Sequence, residues 1–421
     1  MTHCFSRRSF LKGSAAAAAV LSSPLLPADA ASSETENGLF SPVSALCQTQ
    51  YGPVKGREGK NGLLCWYGIP YGAAPTGESR WTAPLEPSRW QTVRDCTSPA
   101  PAAYQYTTFP LGTEDCLTLD IYSSAEAKKR PVLVYLHGSA ATGSSLELPG
   151  SELVRDAGCV FVALNYRLGL FGWNCLPALT ADPDATGNFA LLDIARALDW
   201  VRDNIRRFGG DADNITLCGF SDGGRMAAAP AGSPLFRGRF QKAVAISGGL
   251  SLADPDAAAQ KLAENFAPLA VEDGRFADTA SAAEWLLTPG ADVREWLCGL
   301  EPARIAALGK PTILYADDVV LSRGARSAVS QQRHRIQRLC PGRPAARFQR
   351  GPGLCRKIRL SPLPLEQHRS RRRSVGRQCS GLAWPHRLRR DRQSDGYPGP
   401  RLFPRPAAGA LLVRKQLFCL C

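Results

Sequence analysis

The chain has 421 residues and a formal net charge of +14 that is unevenly distributed. Residues 1–320 contain 27 Lys and Arg against 34 Asp and Glu, a net charge of −7, whereas residues 321–421 contain 24 against 3, a net charge of +21. The 44% apolar content is ample for a large core, and no apolar run of 18 residues follows the N-terminus, which excludes a polytopic membrane protein. The overall basicity does not indicate nucleic-acid binding, because it averages an acidic body with a basic tail.

The first 30 residues have the layout of an export signal. Arg7 and Arg8 precede a short apolar stretch with five consecutive alanines, and Ala28-Asp29-Ala30 provides the small residues of a cleavage site. Paired arginines are typical of the twin-arginine type. We therefore predict that residues 1–30 are a signal peptide and that the protein is exported to the periplasm or the medium, where disulfides are permitted.

After residue 40, short apolar runs alternate with turn residues and one helical pattern. The apolar runs predict strands at residues 118–122, 131–136, 159–164, 215–218 and 243–246. Apolar side chains at helical spacing predict a helix over residues 189–208, ended by Gly209 and Gly210. Strands that alternate with helices indicate an α/β fold with a mostly parallel central sheet and helices on both faces.

The segment Gly219-Phe220-Ser221-Asp222-Gly223-Gly224 lies between a predicted strand and a predicted helix. The pattern G-x-S-x-G in that setting is typical of a nucleophile elbow, in which a tight turn presents the serine Oγ above the sheet. A short Gly/Ser turn without chemistry is the alternative. The setting favours the elbow.

A second turn, His137-Gly138-Ser139-Ala140, follows the predicted strand 131–136. A glycine-containing turn there would direct backbone N–H groups to the same point as Ser221 and form an oxyanion hole. His137 could be taken for the catalytic base, but in this motif we expect it to order the loop.

Together these motifs resemble the type B carboxylesterase and lipase family of α/β-hydrolases, which contains the cholinesterases. The resemblance spans roughly residues 51–321 and rests, besides the two turns, on residues 67–72, 112–120, 131–138, 165–169, 187–193, 197–201 and 204–211. It implies a hydrolase of small carboxylic esters that works through an acyl-enzyme, with no metal or organic cofactor.

The resemblance also implies roles for individual residues. Ser221 would be the nucleophile, and the backbone N–H groups of Ser139, Ala140 and Asp222 would form the oxyanion hole. A further pair, Cys96 and Cys116, matches the family's first disulfide, which closes a short loop.

Some positions depart from the family pattern. The family usually has glycine where Ser139 and Ala140 stand and alanine where Asp222 stands; a carboxylate beside the oxyanion would oppose its negative charge if it pointed inward. Pro230 lies in the helix expected after the elbow, where an interior proline costs about 3 kcal/mol, so we expect that helix to end early.

The sequence does not identify the acid and the histidine of a triad. In this fold the chain order is serine, acid, histidine. Three histidines follow Ser221, each with arginine where the family has glycine: His334, His368 and His386. Three carboxylates follow residue 320, none in the family's acid motif: Glu366, Asp391 and Asp395. Asp317 and Asp318 resemble a family segment upstream of the acid, so neither is assigned that role.

Residues 321–421 contain 22 Arg, 2 Lys and 10 Pro, and hydrophobic periodicity fades there. One interpretation is a basic disordered arm that binds nucleic acid or anionic lipid. The scarcity of Lys, and a change of composition where the family's last strands should begin, favour a shifted reading frame from about Ser322 onward. We therefore predict three parts: a signal peptide (1–30), an α/β-hydrolase body that lacks its C-terminal strands (31–320) and a disordered Arg/Pro-rich tail (321–421).

Three functions stay open at this point. The first is ester hydrolysis through Ser221, the second is a catalytically inactive or truncated relative, and the third is anion or nucleic-acid binding through the tail. A specific nucleic-acid partner is not expected, because any segment with a charge of +21 adheres to polyanions. The sequence indicates neither the oligomeric state nor the acyl and alcohol preference.

Overall fold

A seven-stranded sheet forms the centre of the computed structural model, which describes residues 43–148, 150–182 and 185–323. The predicted signal peptide lies outside these ranges, and so does the tail apart from its first three residues. The predictions of a disordered tail and of missing last strands concern residues outside the described ranges. Within the described ranges, every helix is too short or too polar to cross a membrane.

The strands follow one another in the order β1 (Leu46–Gln48), β2 (Pro53–Lys55), β3 (Arg57–Glu58), β4 (Leu63–Pro70), β5 (Arg94–Asp95), β6 (Gln105–Tyr106), β7 (Pro110–Leu111), β8 (Thr118–Ser124), β9 (Arg130–Leu136), β10 (Val160–Leu164), β11 (Gly210–Phe220) and β12 (Lys242–Ile246). The helices are α1 (Gly150–Ala157), α2 (Gly169–Gly172), α3 (Phe189–Asn204), α4 (Asp222–Ala228), α5 (Pro255–Glu272), α6 (Thr279–Leu286), α7 (Ala291–Gly299) and α8 (Pro302–Ala307). All five predicted strands are present, as is the predicted helix, whose last turn continues as a 3₁₀-helix over Ile205–Phe208.

The main sheet is mixed, which corrects the prediction of a mostly parallel sheet. Its strand order is β12-β11-β9-β10-β8-β4-β3. The β12–β11, β11–β9 and β9–β10 pairs are parallel, whereas the β10–β8, β8–β4 and β4–β3 pairs are antiparallel. Helices α1 to α4 connect the parallel strands, which need long crossovers, while β3 and β4 are joined by a short turn. Hydrophobic runs alone do not report strand direction.

Alternate residues of the strands face opposite sides of this sheet and build two hydrophobic clusters. On β9, Val134 and Leu136 belong to the larger cluster and Tyr135 to the smaller one. Helix α3 adds Ile194 to the larger cluster, and α1 adds Val154 to the smaller one. Helices therefore cover both faces of the sheet, as the sequence predicted.

The helix after the elbow ends before the proline that should disturb it. Helix α4 ends at Ala228, and Pro230 lies in a 3₁₀-helix over Ala229–Gly232. The prediction of an early end is confirmed.

Candidate active site

Ser221 lies in a strained turn between β11 and α4. Its backbone is in the left-handed region, with φ 55° and ψ −119°, and its side chain is exposed. A non-glycine residue in a sparsely populated region costs on the order of 1–3 kcal/mol and persists only where its surroundings hold it. Here the Ser221 N–H donates to the Ile246 carbonyl of β12 at 2.9 Å, and the Ser221 carbonyl accepts the Arg225 N–H at 3.0 Å.

The glycines of the elbow are required by close backbone approach. A Cβ at Gly219 would lie 2.2 Å from the Gly223 carbonyl oxygen, and one at Gly223 would lie 2.2 Å from the Leu136 carbonyl oxygen. A Cβ at Gly224 would meet the Ile246 carbonyl oxygen at 2.8 Å. Because β11 and β9 are paired in register, with Gly219 opposite Leu136, the elbow packs directly against the start of the second turn.

The second turn follows β9 and is held by hydrogen bonds to one side chain and to the backbone of a distant segment. The Gly138 N–H donates to Oε2 of Glu147 at 2.8 Å, and the Ala140 carbonyl accepts the Gly169 N–H at 2.7 Å. Ser139 is in the left-handed region at φ 59°, the conformation that glycine adopts most readily. Its Oγ accepts the N–H groups of Ala141 at 3.3 Å and Thr142 at 3.2 Å, which stabilises the turn without a glycine.

The three expected oxyanion donors differ in availability. The N–H groups of Ser139 and Asp222 have no hydrogen-bond partner within the described part of the chain. The Ala140 N–H instead donates to Oδ2 of Asp222 at 3.2 Å. The other oxygen, Oδ1, pairs with Nη1 of Arg225 at 3.3 Å. The carboxylate therefore points inward, the orientation in which it opposes negative charge on a substrate.

His137 is built into the support of the loop. Its ring is 1% exposed and stacks on Tyr166, with ring centroids 4.6 Å apart and planes 10° apart. The Tyr166 hydroxyl donates to the His137 carbonyl at 2.9 Å. Burial lowers the pKa of His137 to about 4, so the ring is neutral at pH 7 and a weak base. This geometry agrees with the expectation that His137 orders the loop.

Asp317 stabilises a turn. Its Oδ1 accepts the N–H groups of Val319, Val320 and Leu321, at 2.9–3.1 Å, while Oδ2 accepts from Asn188 at 2.8 Å and also binds the Thr186 hydroxyl. This carboxylate is fully engaged within the described residues, which agrees with leaving it without a triad role. His334, His368, His386, Glu366, Asp391 and Asp395 lie outside the described residues.

Cys96 and Cys116 are both buried and both free thiols in the structure, so the disulfide implied by the resemblance is not formed there. Burial raises the pKa of Cys96 to about 11 and raises that of Cys116 well above its ordinary value. Buried, protonated thiols of this kind are unreactive. The pairing stays a prediction for the oxidised protein.

A cavity of about 230 Å³ opens beside the elbow. Ser139, Ala140 and Asp222 line it, together with Arg225 and Lys310, which sequence reasoning did not single out. Arg225 could have been found from its position four residues after Ser221, because one turn of α4 brings it back to the side of the helix that faces the elbow. Among residues 43–148, 150–182 and 185–323, no group of three or more potential metal ligands is found.

Comparisons with known proteins agree with this geometry. Residues 43–286 match the model of the carboxylesterase family, and residues 4–23 match the twin-arginine translocation pathway signal sequence, which supports export through that pathway. The chain is 38% identical over 242 residues to para-nitrobenzyl esterase of Bacillus subtilis (strain 168), covering 55% of this chain and 49% of that protein. Fumonisin B1 esterase of Sphingopyxis macrogoltabida is 36% identical over 216 residues, covering 48% of this chain and 39% of that protein.

Solved structures show the same similarity. A carboxylesterase of Geobacillus stearothermophilus superposes with a TM-score of 0.58 and 31% identity, covering 69% of this chain and 59% of that one. The chain spans about half the length, or less, of the curated relatives it matches. The family match covers more than half of the chain, and the fold is that of the α/β-hydrolases. This chain belongs to the carboxylesterase family.

Proposed function

We propose that the protein hydrolyses carboxylic esters, with Ser221 as the nucleophile. The observation that carries this proposal is the exposed Ser221 at φ 55° at the end of β11, next to a turn and a helix start whose Ser139 and Asp222 N–H groups have no partner among the described residues. Ser221 Oγ would form a bond to the ester carbonyl carbon as its proton passes to a base. The C–O bond to the alcohol then breaks, leaving an acyl-serine that water hydrolyses to the acid.

The base that accepts the Ser221 proton is not identified. His137 does not fit, because it is buried and its pKa is lowered to about 4. The histidines that follow Ser221 in the chain lie outside the described residues. The oxyanion donors are proposed to be the N–H groups of Ser139 and Asp222 and, once it is released from the Asp222 carboxylate, that of Ala140.

A second candidate function is a catalytically inactive relative. The observation that favours it is the hydrogen bond of the Ala140 N–H to Oδ2 of Asp222 at 3.2 Å, which occupies one donor with a negative group. A single oxyanion donor is worth about 100-fold or more in rate, so an occupied donor is costly.

Turnover of 4-nitrophenyl butyrate by the full chain separates the two candidates. Hydrolysis by the wild type and by Ser98→Ala, an exposed serine in the loop after β5, together with loss in Ser221→Ala, supports the enzyme. Equal rates in all three proteins, or no rate above buffer in the wild type, would favour the inactive relative.

We also propose that residues from about Ser322 onward derive from a shifted reading frame. The support is the change in composition after residue 320, where 22 Arg stand against 2 Lys. The test is to resequence the gene from the codon of Ser221 and translate the three frames. An acid motif and a His-Gly motif in another frame would support the shift, and three frames without them would favour an evolved basic tail.

We further propose that the exported protein works in the periplasm or the medium and forms the Cys96–Cys116 disulfide there. Peptide mapping without reductant tests the pairing. A linked pair of peptides supports it. Two alkylated thiols in the exported protein would match the free cysteines of the structure and overturn the pairing.

A further inference from the structure

The cavity beside the elbow is lined by more positive than negative side chains. Its charged lining residues are Arg225 of α4, Lys310 of the segment after α8, and Asp222. This local balance contrasts with the body of the chain, since residues 1–320 carry a net charge of −7. A positive cavity in an acidic body concentrates anionic ligands.

The Arg225 guanidinium is fixed in place and still has an unused donor. Its Nη2 donates to the Ser251 carbonyl at 3.2 Å and to the Ser251 Oγ at 3.0 Å, while Nη1 pairs with Asp222. Its Nε is buried and meets no acceptor among the described residues, but the side chain as a whole is 26% exposed. Nη1 carries two N–H groups and Asp222 takes one of them, so the other is the donor available to an anion in the cavity.

Lys310 supplies the second positive charge. It is exposed and forms no ion pair or hydrogen bond with any other described residue. An ammonium that lines a cavity and has no protein partner is available to a ligand.

The contacts of the Asp222 side chain show that the wall of this cavity can bind a carboxylate group. One carboxylate oxygen accepts from the Ala140 N–H at 3.2 Å and the other pairs with Arg225 at 3.3 Å. A backbone N–H and a guanidinium thus hold a carboxylate at the cavity wall. Charge-assisted bonds of this type are the stronger class of hydrogen bond.

We propose that the ester substrate carries a carboxylate, which Arg225 and Lys310 bind in this cavity while Ser221 attacks the ester group. This inference rests on the proposed function, because it names the substrate class of the same site. The substrate class is a monoester of a dicarboxylic acid, and Arg225 and Lys310 are its specificity-determining residues.

The first test measures binding without turnover. Glutarate is titrated calorimetrically into the full-length Ser221→Ala protein, with glutaramide as the uncharged control. We expect glutarate to bind and glutaramide not to bind, and we expect the glutarate affinity to fall as salt is added. Lys310→Met should weaken glutarate binding about tenfold, and Asp222→Asn should strengthen it. Lys261→Met, an exposed lysine of α5 away from the cavity lining, should bind glutarate like the parent protein.

The second test compares two esters, mono-4-nitrophenyl glutarate and neutral 4-nitrophenyl butyrate. We expect Lys310→Met to lower the ratio of kcat/KM for the glutarate ester to kcat/KM for the butyrate ester about tenfold, and the control Lys261→Met to leave both values within about twofold. Ser221-dependent butyrate turnover without glutarate binding or preference would overturn the carboxylate site and leave the esterase proposal standing. Lys310-dependent glutarate binding with no turnover of either ester would overturn the esterase and keep the site.

Discussion

The turns after β11 and β9 lie side by side at the ends of paired strands, yet their geometry has different origins. At the elbow, Gly219 and Gly223 permit backbone contacts that no side chain would allow. In the second turn, Ser139 adopts φ 59° in a position where we expected the glycine usual in the family, and its own Oγ supports that conformation. The backbone of the second turn thus survives the substitution, but the availability of its donors depends on a neighbour, Asp222.

The largest effect is expected from a Cβ at the contact between the two turns. Gly223→Ala would place a carbon 2.2 Å from the Leu136 carbonyl oxygen and 2.4 Å from that of His137. Both partners are backbone, so we expect a loss of stability on the order of 4 kcal/mol. Urea unfolding measures it. Gly249→Ala, whose Cβ meets nothing within 4 Å, is the matched control and should change stability by less than about 0.5 kcal/mol. Equal stability of the two variants would contradict the tight contact.

A pH-dependent effect is expected from His137, which belongs only to the second turn. Burial lowers its pKa in the folded protein from 6.5 to about 4. The unfolded chain therefore binds the proton first, and stability falls as the pH drops from 6.5 towards 4. The full difference corresponds to roughly 3 kcal/mol. Above pH 7 the residue makes no pH-dependent contribution.

His137→Phe retains a ring that can stack on Tyr166 and removes the titration. We expect the stability difference between wild type and variant to shift by roughly 3 kcal/mol in favour of the variant between pH 7 and 4. Asp120, whose pKa burial raises to about 6, gives the opposite dependence, losing its contribution as the pH rises, but it is present in both proteins and cancels. A difference that is constant with pH would mean that His137 is accessible to protons in the folded state.

A smaller loss is expected at the side chain that holds the second turn. Oε2 of Glu147 accepts from the Gly138 N–H at 2.8 Å and from the Tyr135 hydroxyl at 3.1 Å. Glu147→Ala leaves these donors without the acceptor, at a cost of about 2 kcal/mol in urea unfolding. Glu147→Gln keeps an amide oxygen as acceptor, so its loss in the free energy of unfolding should be less than half of the loss in Glu147→Ala. An effect of Gln as large as that of Ala would show that the charge, not the acceptor, is required.

The smallest effect is expected on kcat, from the removal of the Asp222 carboxylate, through which the elbow controls a donor of the second turn. Asp222→Ala frees the Ala140 N–H and removes a negative charge beside the developing oxyanion, so we expect kcat for 4-nitrophenyl butyrate to rise about tenfold. Asp222→Asn keeps a hydrogen-bond acceptor without the negative charge, so its kcat should lie between those of the wild type and Asp222→Ala. A lower kcat in Asp222→Ala would mean that the carboxylate assists turnover.

Much of this architecture could be predicted because it depends on local pattern. Helical spacing located α3 (Phe189–Asn204), and Gly209 ends its last turn at φ 81°, a conformation suited to glycine. The elbow followed from a glycine pattern between a strand and a helix. Both signals are contained within a few consecutive residues.

What escaped prediction depends on contacts between distant segments. The antiparallel half of the sheet was missed because an apolar run is the same in either direction. The inward carboxylate of Asp222 was considered at the sequence level, but its bond to Ala140 depends on how two turns face each other. The approach of Lys310 and Arg225 to one cavity joins segments with no shared motif.

If the strained turn makes Ser221 an activated nucleophile, this serine should react with an organophosphate that ordinary serines do not attack. The full-length protein should be incubated with diethyl 4-nitrophenyl phosphate and its peptides analysed by mass spectrometry. We expect one diethylphosphoryl group on the peptide that contains Ser221, absent from Ser221→Ala and unchanged in Ser98→Ala. Labelling of a different residue, or no labelling of the folded wild type, would contradict it.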